Sequence, residues 1–393
     1  MAHFVRPLAL ADGVDAGKYE VHFYAPARLG GHLKGRAFET GVIETMPGEE
    51  FLRNLAKARP MFPAEVIRRY VAEDRGIIQR VKPDLVIGDM RPSLAISCAL
   101  EKVPSAAMMN GYWSPYNTFR PEIFPELGWV TRVFGPGRFG WIYRKLEPGA
   151  IKRIVAPTNV VRVENGLPPL PADLRALYNA ADYVLYPDIP EFVETAGLPE
   201  THQYVGICEW TPETTKPEWW GKMVADPKRK VFVSLGSSGP LRVLPGLLRA
   251  LGRLPVSVVV ASSGREMPAM GAGVYVAKLL PFTETAELSA VVVSHGGSGG
   301  LYPAMAAGTP VLGIPSNGDQ HMSTAFLEHA GAGLGVRVEE ATEGRLFAAL
   351  ERLLNEKGFG ERARYWKGVY GRYESGRMFA GFLGSVLARG KTT

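Results

Sequence analysis

Residues 291–320 read VVVSHGGSGGLYPAMAAGTPVLGIPSNGDQ and carry the clearest structural pattern in the chain. An apolar strand pattern runs into a glycine-rich turn, which is followed by a helix of small residues, a second apolar strand and an acid-amide pair. Strand, helix and strand in succession indicate a parallel α/β sheet. The glycines leave backbone N–H groups uncovered where the helix begins, a geometry that suits phosphate oxygens.

Polar residues follow two successive strands of this stretch. His295 comes after the first strand, and the second strand, over 311–314, ends in Pro315 and is followed by Asp319 and Gln320. The carboxyl ends of parallel strands share one edge of the sheet, where ligands of open α/β sheets bind. The stretch therefore indicates a nucleotide or sugar-nucleotide ligand. A glycine turn with a purely structural role is the alternative.

Length and composition favour a two-domain globular enzyme. The chain has 393 residues, of which 46% are hydrophobic, and no apolar run approaches the roughly 18 residues of a membrane span. Residues 1–25 lack the features of a secretory signal, so we expect a cytoplasmic protein. The two cysteines, Cys98 and Cys208, predict neither a disulfide framework nor a metal site.

The positive charge is concentrated near the C-terminus. The net charge is +6, and residues 361–391 hold seven Lys or Arg against two Glu, which is +5 of that excess. This predicts a basic C-terminal helix, with either a solvated face or an attraction to an anionic membrane surface or an acidic partner. No nucleic-acid-binding motif accompanies the charge, so nucleic acid is not an expected partner.

The order of patterns predicts two α/β domains joined by a linker. Strand and helix patterns alternate over 1–208, a segment rich in proline and charge follows at 209–228, and a second alternating block covers 229–360. We expect the helix at 361–393 to return to the first domain.

An aromatic insert interrupts the first block. Residues 112–150 combine aromatics with prolines and glycines, which predicts a long loop with short helices. Its aromatics suit a wall that binds an apolar acceptor or a lipid, and ordinary packing explains them equally well. The acceptor candidates are Trp113, Tyr116 and Phe119.

Taken together, these residues resemble the two-domain nucleotide-sugar glycosyltransferases of the B fold, specifically family 1, which includes macrolide and plant natural-product transferases. The resemblance covers nearly the whole chain, with the motif at 295–320 as its strongest part and GSSG at 236–239 and YVGICEWTP at 204–212 as supporting matches. It implies two Rossmann-like, doubly wound domains that face each other across a cleft. It also implies a nucleotide-sugar cosubstrate, with no cofactor and no metal.

The resemblance assigns donor-binding roles. His295 would meet a donor phosphate, Asp319 and Gln320 would bind sugar hydroxyls, and Leu280 and Phe282 occupy the region that holds the base. The residues that would cradle the diphosphate are those of two glycine-rich turns: Gly236, Ser237, Ser238, Gly239, Gly296, Gly297, Ser298, Gly299 and Gly300.

Two departures from the family pattern concern the nucleoside. Pro303 stands where family members often carry an acid or amide that holds the ribose. Leu279 or Leu280 stands where an aromatic usually stacks on the base, with Phe282 just beyond Pro281. The base, uracil or thymine, is therefore left open.

The resemblance also points to a catalytic pair, His3 and Asp89. An acceptor hydroxyl must lose its proton as it attacks the anomeric carbon, and a histidine held by a carboxylate suits that task near neutral pH. Family members have an apolar strand ahead of this histidine, so we expect the natural protein to start upstream of Met1. Extending the chain by the preceding in-frame codons checks this.

The sequence thus predicts an inverting glycosyltransferase that moves a hexose from a UDP- or dTDP-sugar to a hydroxyl of a mainly apolar small-molecule or lipid acceptor. Two alternatives share the fold. One is a nucleotide-sugar epimerase, and the other is a non-catalytic paralogue that binds a sugar nucleotide.

Overall fold

The computed structural model describes residues 2–56, 59–123, 129–209, 214–236, 239–267 and 273–390. The chain forms two compact units. The first consists of Met1–Phe119, Trp141–Trp210 and Tyr373–Thr393, and the second of Arg120–Gly140 and Thr211–Arg372. Each unit alternates helices with parallel strands, so the predicted α/β class is confirmed.

The elements up to residue 210 run in the following order: α1 (Ala2–Asp12), β1 (His22–Ala25), β2 (Glu39–Val42), α2 (Gly48–Ala56), α3 (Ala64–Val81), β3 (Val86–Asp89), α4 (Leu94–Glu101), β4 (Ser105–Met108), α5 (Trp129–Glu164), α6 (Leu174–Tyr178), β5 (Tyr183–Tyr186) and β6 (His202–Tyr204). Strands β3, β4, β5 and β6 form one parallel sheet in that order. Strands β1 and β2 pair in a separate parallel sheet. The strand predicted upstream of Met1 stays a prediction.

The elements from residue 214 onward are α7 (Trp220–Ala225), β7 (Arg229–Ser234), α8 (Leu244–Gly252), β8 (Val256–Ala261), β9 (Val274–Ala277), α9 (Phe282–Glu287), β10 (Val291–Ser294), α10 (Ser298–Ala307), β11 (Val311–Gly313), α11 (Gly318–His329), β12 (Gly333–Gly335), α12 (Glu343–Asn355), α13 (Lys357–Tyr370) and α14 (Ser375–Gly390). All of them except α14 belong to the second unit.

The sheet of the second unit is doubly wound. Its six strands are ordered β12-β11-β10-β7-β8-β9, and every pair is parallel. The chain leaves β7 toward β8 and β9, and then returns to place β10 on the other side of β7. The carboxyl ends of β7 and β10 therefore mark the topological switch point, where doubly wound sheets bind their ligands.

Apolar side chains explain why these strands lie in the interior. Strands β8 and β10 read VSVVVA and VVVS, and all their residues except Ala261 are buried, as expected of parallel strands covered on both faces. The two cysteines are also buried in the first unit. Burial raises the pKa of each thiol to about 12, so both stay protonated at neutral pH.

Two sequence predictions are wrong. The insert at 112–150 was expected to be a loop with short helices, but α5 runs as one helix over 36 residues, Trp129–Glu164. A single helix was expected after Gly360, but the structure has α13 and α14, separated at Gly371 to Glu374. Glycines and prolines inside α5 concealed the helix, because their local propensity opposes it.

Helix α14 supplies core residues to the first unit. Phe379, Phe382 and Leu383 are buried in a cluster with Leu10 of α1 and Leu185 of β5. The Phe382 ring also meets the Tyr183 ring edge-on, with 5.6 Å between centroids. None of the helices in the described part of the chain combines the length and the apolar character that a membrane span requires.

We expect Phe382→Ala to destabilise the first unit by roughly 3–5 kcal/mol, because it empties a buried ring site. Arg377→Ala, on the exposed face of the same helix, is the control and should change the free energy of unfolding by about 0.5 kcal/mol or less. Urea denaturation followed by circular dichroism measures both. Equal effects of the two substitutions would show that α14 is not part of the core.

Candidate active site

His3 and Asp89 contact each other in the first unit. The Nδ1 atom of His3 lies 2.7 Å from Oδ1 of Asp89, with 55% of the histidine side chain exposed and 1% of the aspartate. Helix α1 carries the histidine, and Asp89 is the last residue of β3. The pair therefore combines a buried carboxylate with an accessible imidazole, whose other nitrogen, Nε2, is not the one held by Asp89.

Arg6 binds the same carboxylate in a bidentate manner. Its Nε donates to Oδ2 of Asp89 at 2.8 Å and its Nη2 to Oδ1 at 2.7 Å. Because His3 and Arg6 are three residues apart on α1, they lie on one face of the helix, and both reach the carboxylate. Bidentate arginine–carboxylate pairs are among the strongest hydrogen-bonded ion pairs in proteins.

A second carboxylate extends this network. Nη1 of Arg6 donates to Oδ1 of Asn110 at 2.5 Å, and the Asn110 amide donates to Oδ2 of Asp188 at 3.3 Å. The backbone N–H of Gly111 also donates to Oδ2 of Asp188, at 2.6 Å. Arg6 and Asn110 thereby join Asp89, at the end of β3, to Asp188, which follows β5.

Opposing effects set the pKa of Asp89. Burial alone would raise it, but the charge of Arg6, and then that of His3, together hold the pKa of this carboxyl below its ordinary value. Asp89 is therefore ionised at neutral pH, and it can stabilise a positive charge on His3.

In the second unit, two glycine-containing turns lie side by side. Gly236 follows β7 and His295 follows β10, and these strands are hydrogen-bonded neighbours. Gly236 has a φ of +60°, and a Cβ there would lie 3.1 Å from Cε1 of His295. Gly296 has a φ of +79°, and a Cβ there would lie 2.3 Å from Oγ1 of Thr324. Side chains at either position would strain or crowd the turn.

The imidazole of His295 is held neutral. Burial lowers its pKa to about 4, with Arg265 adding to that effect and Asp319 opposing it. Its Nδ1 atom is enclosed and has no hydrogen-bond partner among the described residues. Helix α10 begins three residues later, at Ser298, so its first N–H groups lie at the same turn.

Arg265 holds the turn that follows β7. Its Nη1 donates to the carbonyl of Gly239 at 2.8 Å, and its Nη2 donates to the carbonyl of Gly236. The guanidinium therefore places a positive charge beside the turn and near His295. Ser237 and Ser238, the other predicted members of this turn, lie outside the described residues.

The predicted sugar and base residues have different environments. Asp319 is exposed in the first turn of α11, whereas Gln320 is 3% exposed and its Oε1 accepts from the backbone N–H of Ser316 at 2.8 Å. Leu280 is buried. The ring of Phe282 packs against that of Phe232, with 5.0 Å between centroids.

The predicted acceptor aromatics lie in the first unit. The Trp113 ring packs edge-on against Tyr178, and the Tyr116 ring against His202, each with 5.3 Å between centroids. The backbone N–H of Phe119 donates to Oδ1 of Asn117 at 3.1 Å. The later aromatics of the insert, from Phe124 to Tyr143, have side chains outside the described residues.

Comparison with known proteins shows which family the chain belongs to. It is 38% identical over 383 residues to the PGL/p-HBAD biosynthesis glycosyltransferase of Mycobacterium tuberculosis, which covers 97% of this chain and 88% of the relative. The chain belongs to this glycosyltransferase family. It is also 36% identical to the PGL/p-HBAD biosynthesis rhamnosyltransferase of Mycobacterium bovis, over 95% of this chain and 82% of that one.

Two further comparisons agree with membership of this glycosyltransferase family. Residues 230–365 of the glycosyltransferase match the family described as UDP-glucoronosyl and UDP-glucosyl transferase. The spinosyn forosaminyltransferase SpnP has a similar fold, with a TM-score of 0.69 and 18% identity over 98% of this chain and 96% of that chain. The predicted two-domain B fold of glycosyltransferases is thus confirmed.

Sequence analysis missed Arg6, Asn110, Asp188 and Arg265. The spacing of Arg6 from His3 was a usable signal, because i and i+3 residues share a helix face. Nothing local marks the other three, whose partners lie 26 to 104 positions away along the chain. Their roles follow from the sheet edges on which they lie.

We expect Arg6→Met to destabilise the glycosyltransferase by roughly 3–5 kcal/mol at pH 7, because it leaves the Asp89 charge buried. In this variant the charge of Arg6 no longer offsets the effect of burial, so the pKa of Asp89 rises. The deficit relative to wild type should therefore shrink as the pH falls and the carboxyl takes up a proton. Urea denaturation at pH 7 and pH 5 measures this.

Arg68→Met is the matched control. Arg68 binds Glu164 with the same bidentate geometry, at 2.8 and 2.7 Å, but both side chains are more than 40% exposed. Its loss should cost about 1 kcal/mol or less. If both variants lose equal stability, or if the Arg6→Met deficit grows on acidification, the interpretation of the buried network is wrong.

Proposed function

We propose that this glycosyltransferase moves a hexose, with inversion, from a UDP- or dTDP-sugar to a hydroxyl group of a mainly apolar small-molecule or lipid acceptor. The names of the two mycobacterial relatives support a glycosyl transfer of this kind, and one of them is a rhamnosyltransferase. The match at 230–365 supports a nucleotide-sugar donor.

One observation supports the assignment of His3 as the catalytic general base. His3 is oriented by a buried carboxylate at 2.7 Å, yet half of its side chain is exposed. In the proposed step, Nε2 of His3 takes the proton from the acceptor hydroxyl while the oxygen attacks the anomeric carbon. The bond from that carbon to the diphosphate oxygen breaks, and the electron pair leaves with the nucleoside diphosphate. Asp89 stabilises the imidazolium that forms.

Residues at the switch point of the second unit would stabilise the leaving group. The N-terminus of α10 contributes roughly half a positive charge and its first N–H groups. Neutral His295 would donate a hydrogen bond to a phosphate oxygen, and Arg265 adds a full positive charge next to the turn. Such fixed donors act on the charge that develops as the bond breaks.

Sugar and nucleoside recognition would fall to neighbouring residues. Exposed Asp319 can accept hydrogen bonds from sugar hydroxyls, whereas buried Gln320, bound to Ser316, would fix the shape of that turn. Leu280 and Phe282 offer the base an apolar surface. Pro303 has no side-chain hydrogen-bonding group for the ribose, so the donor nucleoside is recognised without that contact.

The decisive experiment is to measure donor binding and sugar transfer in His3→Ala. We expect transfer to fall by about 10²–10⁴-fold, the range that a general base contributes. The affinity for UDP and dTDP, measured by calorimetry, should be unchanged. The panel of donors should include UDP- and dTDP-hexoses, with a fluorescent alkylphenol as acceptor.

His22→Ala is the matched control, because His22 also pairs with a carboxylate, that of Glu20, at 2.8 Å. This variant should retain wild-type transfer. Wild-type transfer by His3→Ala would reject His3 as the base. A loss of nucleotide affinity equal to the loss of transfer would assign His3 to donor binding instead.

A further inference from the structure

A cavity in the first unit lies directly beside the catalytic pair. It holds about 750 Å³ of empty space, counted together with its opening to solvent. Gly88 and Met90, the two residues that flank Asp89 in the chain, both line it. So does Met109, the neighbour of Asn110 in the Arg6 network.

Alternation along β3 explains this placement. Ile87 packs into the core that contains α1 and α14, and Asp89, two residues later, contacts His3 and Arg6 on α1. Gly88 points to the other face, toward Leu94 of α4. Met90 has a φ of +54°, so the backbone turns sharply just after Asp89. The cavity and the base therefore meet at the carboxyl end of β3.

The shape of the cavity suits an elongated group. It extends from Met90 and Met109, after the carboxyl ends of β3 and β4, to Ala181, which precedes the amino end of β5. Because these strands are parallel, that path runs along the sheet for roughly the length of a four-residue strand, about 13 Å.

The lining is apolar and adaptable. Three methionines on this face of the sheet contribute to it, Met61, Met90 and Met109, and methionine accommodates ligands of varied shape. The two cations in the lining are already engaged. Arg91 binds Asp74 at 2.7 Å and Glu73 at 2.8 Å, and Nε of Arg162 donates to the carbonyl of Pro168 at 2.8 Å. These ion pairs and this hydrogen bond would therefore remain intact when an apolar ligand binds.

We propose that this cavity receives the apolar tail of the acceptor, an alkyl or alkyl-aryl chain, while the acceptor hydroxyl passes over the end of β3 to His3. This inference rests on the proposed transfer reaction and deepens it. It moves the main acceptor contact from the predicted aromatics Trp113, Tyr116 and Phe119 to the methionine-lined cavity. The Trp113 ring packs against Tyr178, which lines the cavity.

The test compares transfer to 4-methylphenol and to 4-octylphenol, which differ only in tail length. Ala95 on α4 lines the cavity, and Ala99, one turn later, is exposed and does not. Ala95→Phe should lower kcat/KM for 4-octylphenol by about tenfold or more, as apolar pockets discriminate. Its kcat/KM for 4-methylphenol should stay within about twofold of wild type. Ala99→Phe should leave both values unchanged.

A second measurement does not depend on transfer or on any variant. In protein labelled with ¹³C in its methionine methyl groups, 4-octylphenol should shift the NMR signals of Met61, Met90 and Met109, and 4-methylphenol should shift them less. Circular dichroism and thermal unfolding check that each variant is folded. If Ala95→Phe fails to fold, the methionine signals of the wild type decide the question.

The outcomes separate the two proposals. Methionine shifts without transfer to any acceptor would support the cavity as a binding site and reject the proposed reaction. Transfer that is equally efficient for both phenols, without methionine shifts, would overturn the cavity assignment and leave the reaction intact. Equal losses in Ala95→Phe and Ala99→Phe would also overturn it.

Discussion

The geometry of the candidate base depends on one buried charge, the carboxylate of Asp89. A carboxylate with 1% exposure is costly to remove from water unless its oxygens are fully paired. Arg6 and His3 supply that pairing, and both project from the same face of α1. These contacts hold α1 on the sheet together with its buried apolar residues Phe4, Leu8 and Leu10. The accessible imidazole is held in place by the same contacts.

The same principle, polar groups gathered at the carboxyl ends of parallel strands, organises the second unit. The winding of its sheet brings the turns after β7 and β10 together at the switch point. Gly236 and Gly296 permit the close approach of backbone there, and burial keeps His295 neutral. Arg265 fixes the first turn through two carbonyl groups. We propose that backbone dipoles and the charge of Arg265 would stabilise an anionic ligand there.

Features that depend on hydrophobic periodicity and on local sequence motifs could be predicted from the sequence. Continuous apolar runs predicted strands β7, β8 and β10, and the glycine-rich turns marked the ends of β7 and β10. The contact between His3 and Asp89 was expected from the family motif, and the structure brings the two side chains together across 86 positions. Arg6 was within reach of the same reasoning but was not identified.

Other features depend on tertiary contacts that no local pattern encodes. Helix α5 contains Gly135, Pro136, Gly137 and Gly140, whose propensity argues against a helix. The break between α13 and α14 allows α14 to bury Phe379 and Phe382 in the first unit, whereas α13 belongs to the second. The methionine-lined cavity could not be predicted either, because its walls come from segments as distant in sequence as Met61 and Ala181.

The central claim is that His3, oriented by Asp89, takes the acceptor proton in a single displacement at the anomeric carbon. The anomeric configuration of the product, determined by proton NMR from a donor of known configuration, tests this claim most directly. A single displacement predicts a glycoside whose configuration is inverted relative to the donor. A product that retains the donor configuration would require a different mechanism and would contradict the role assigned to His3.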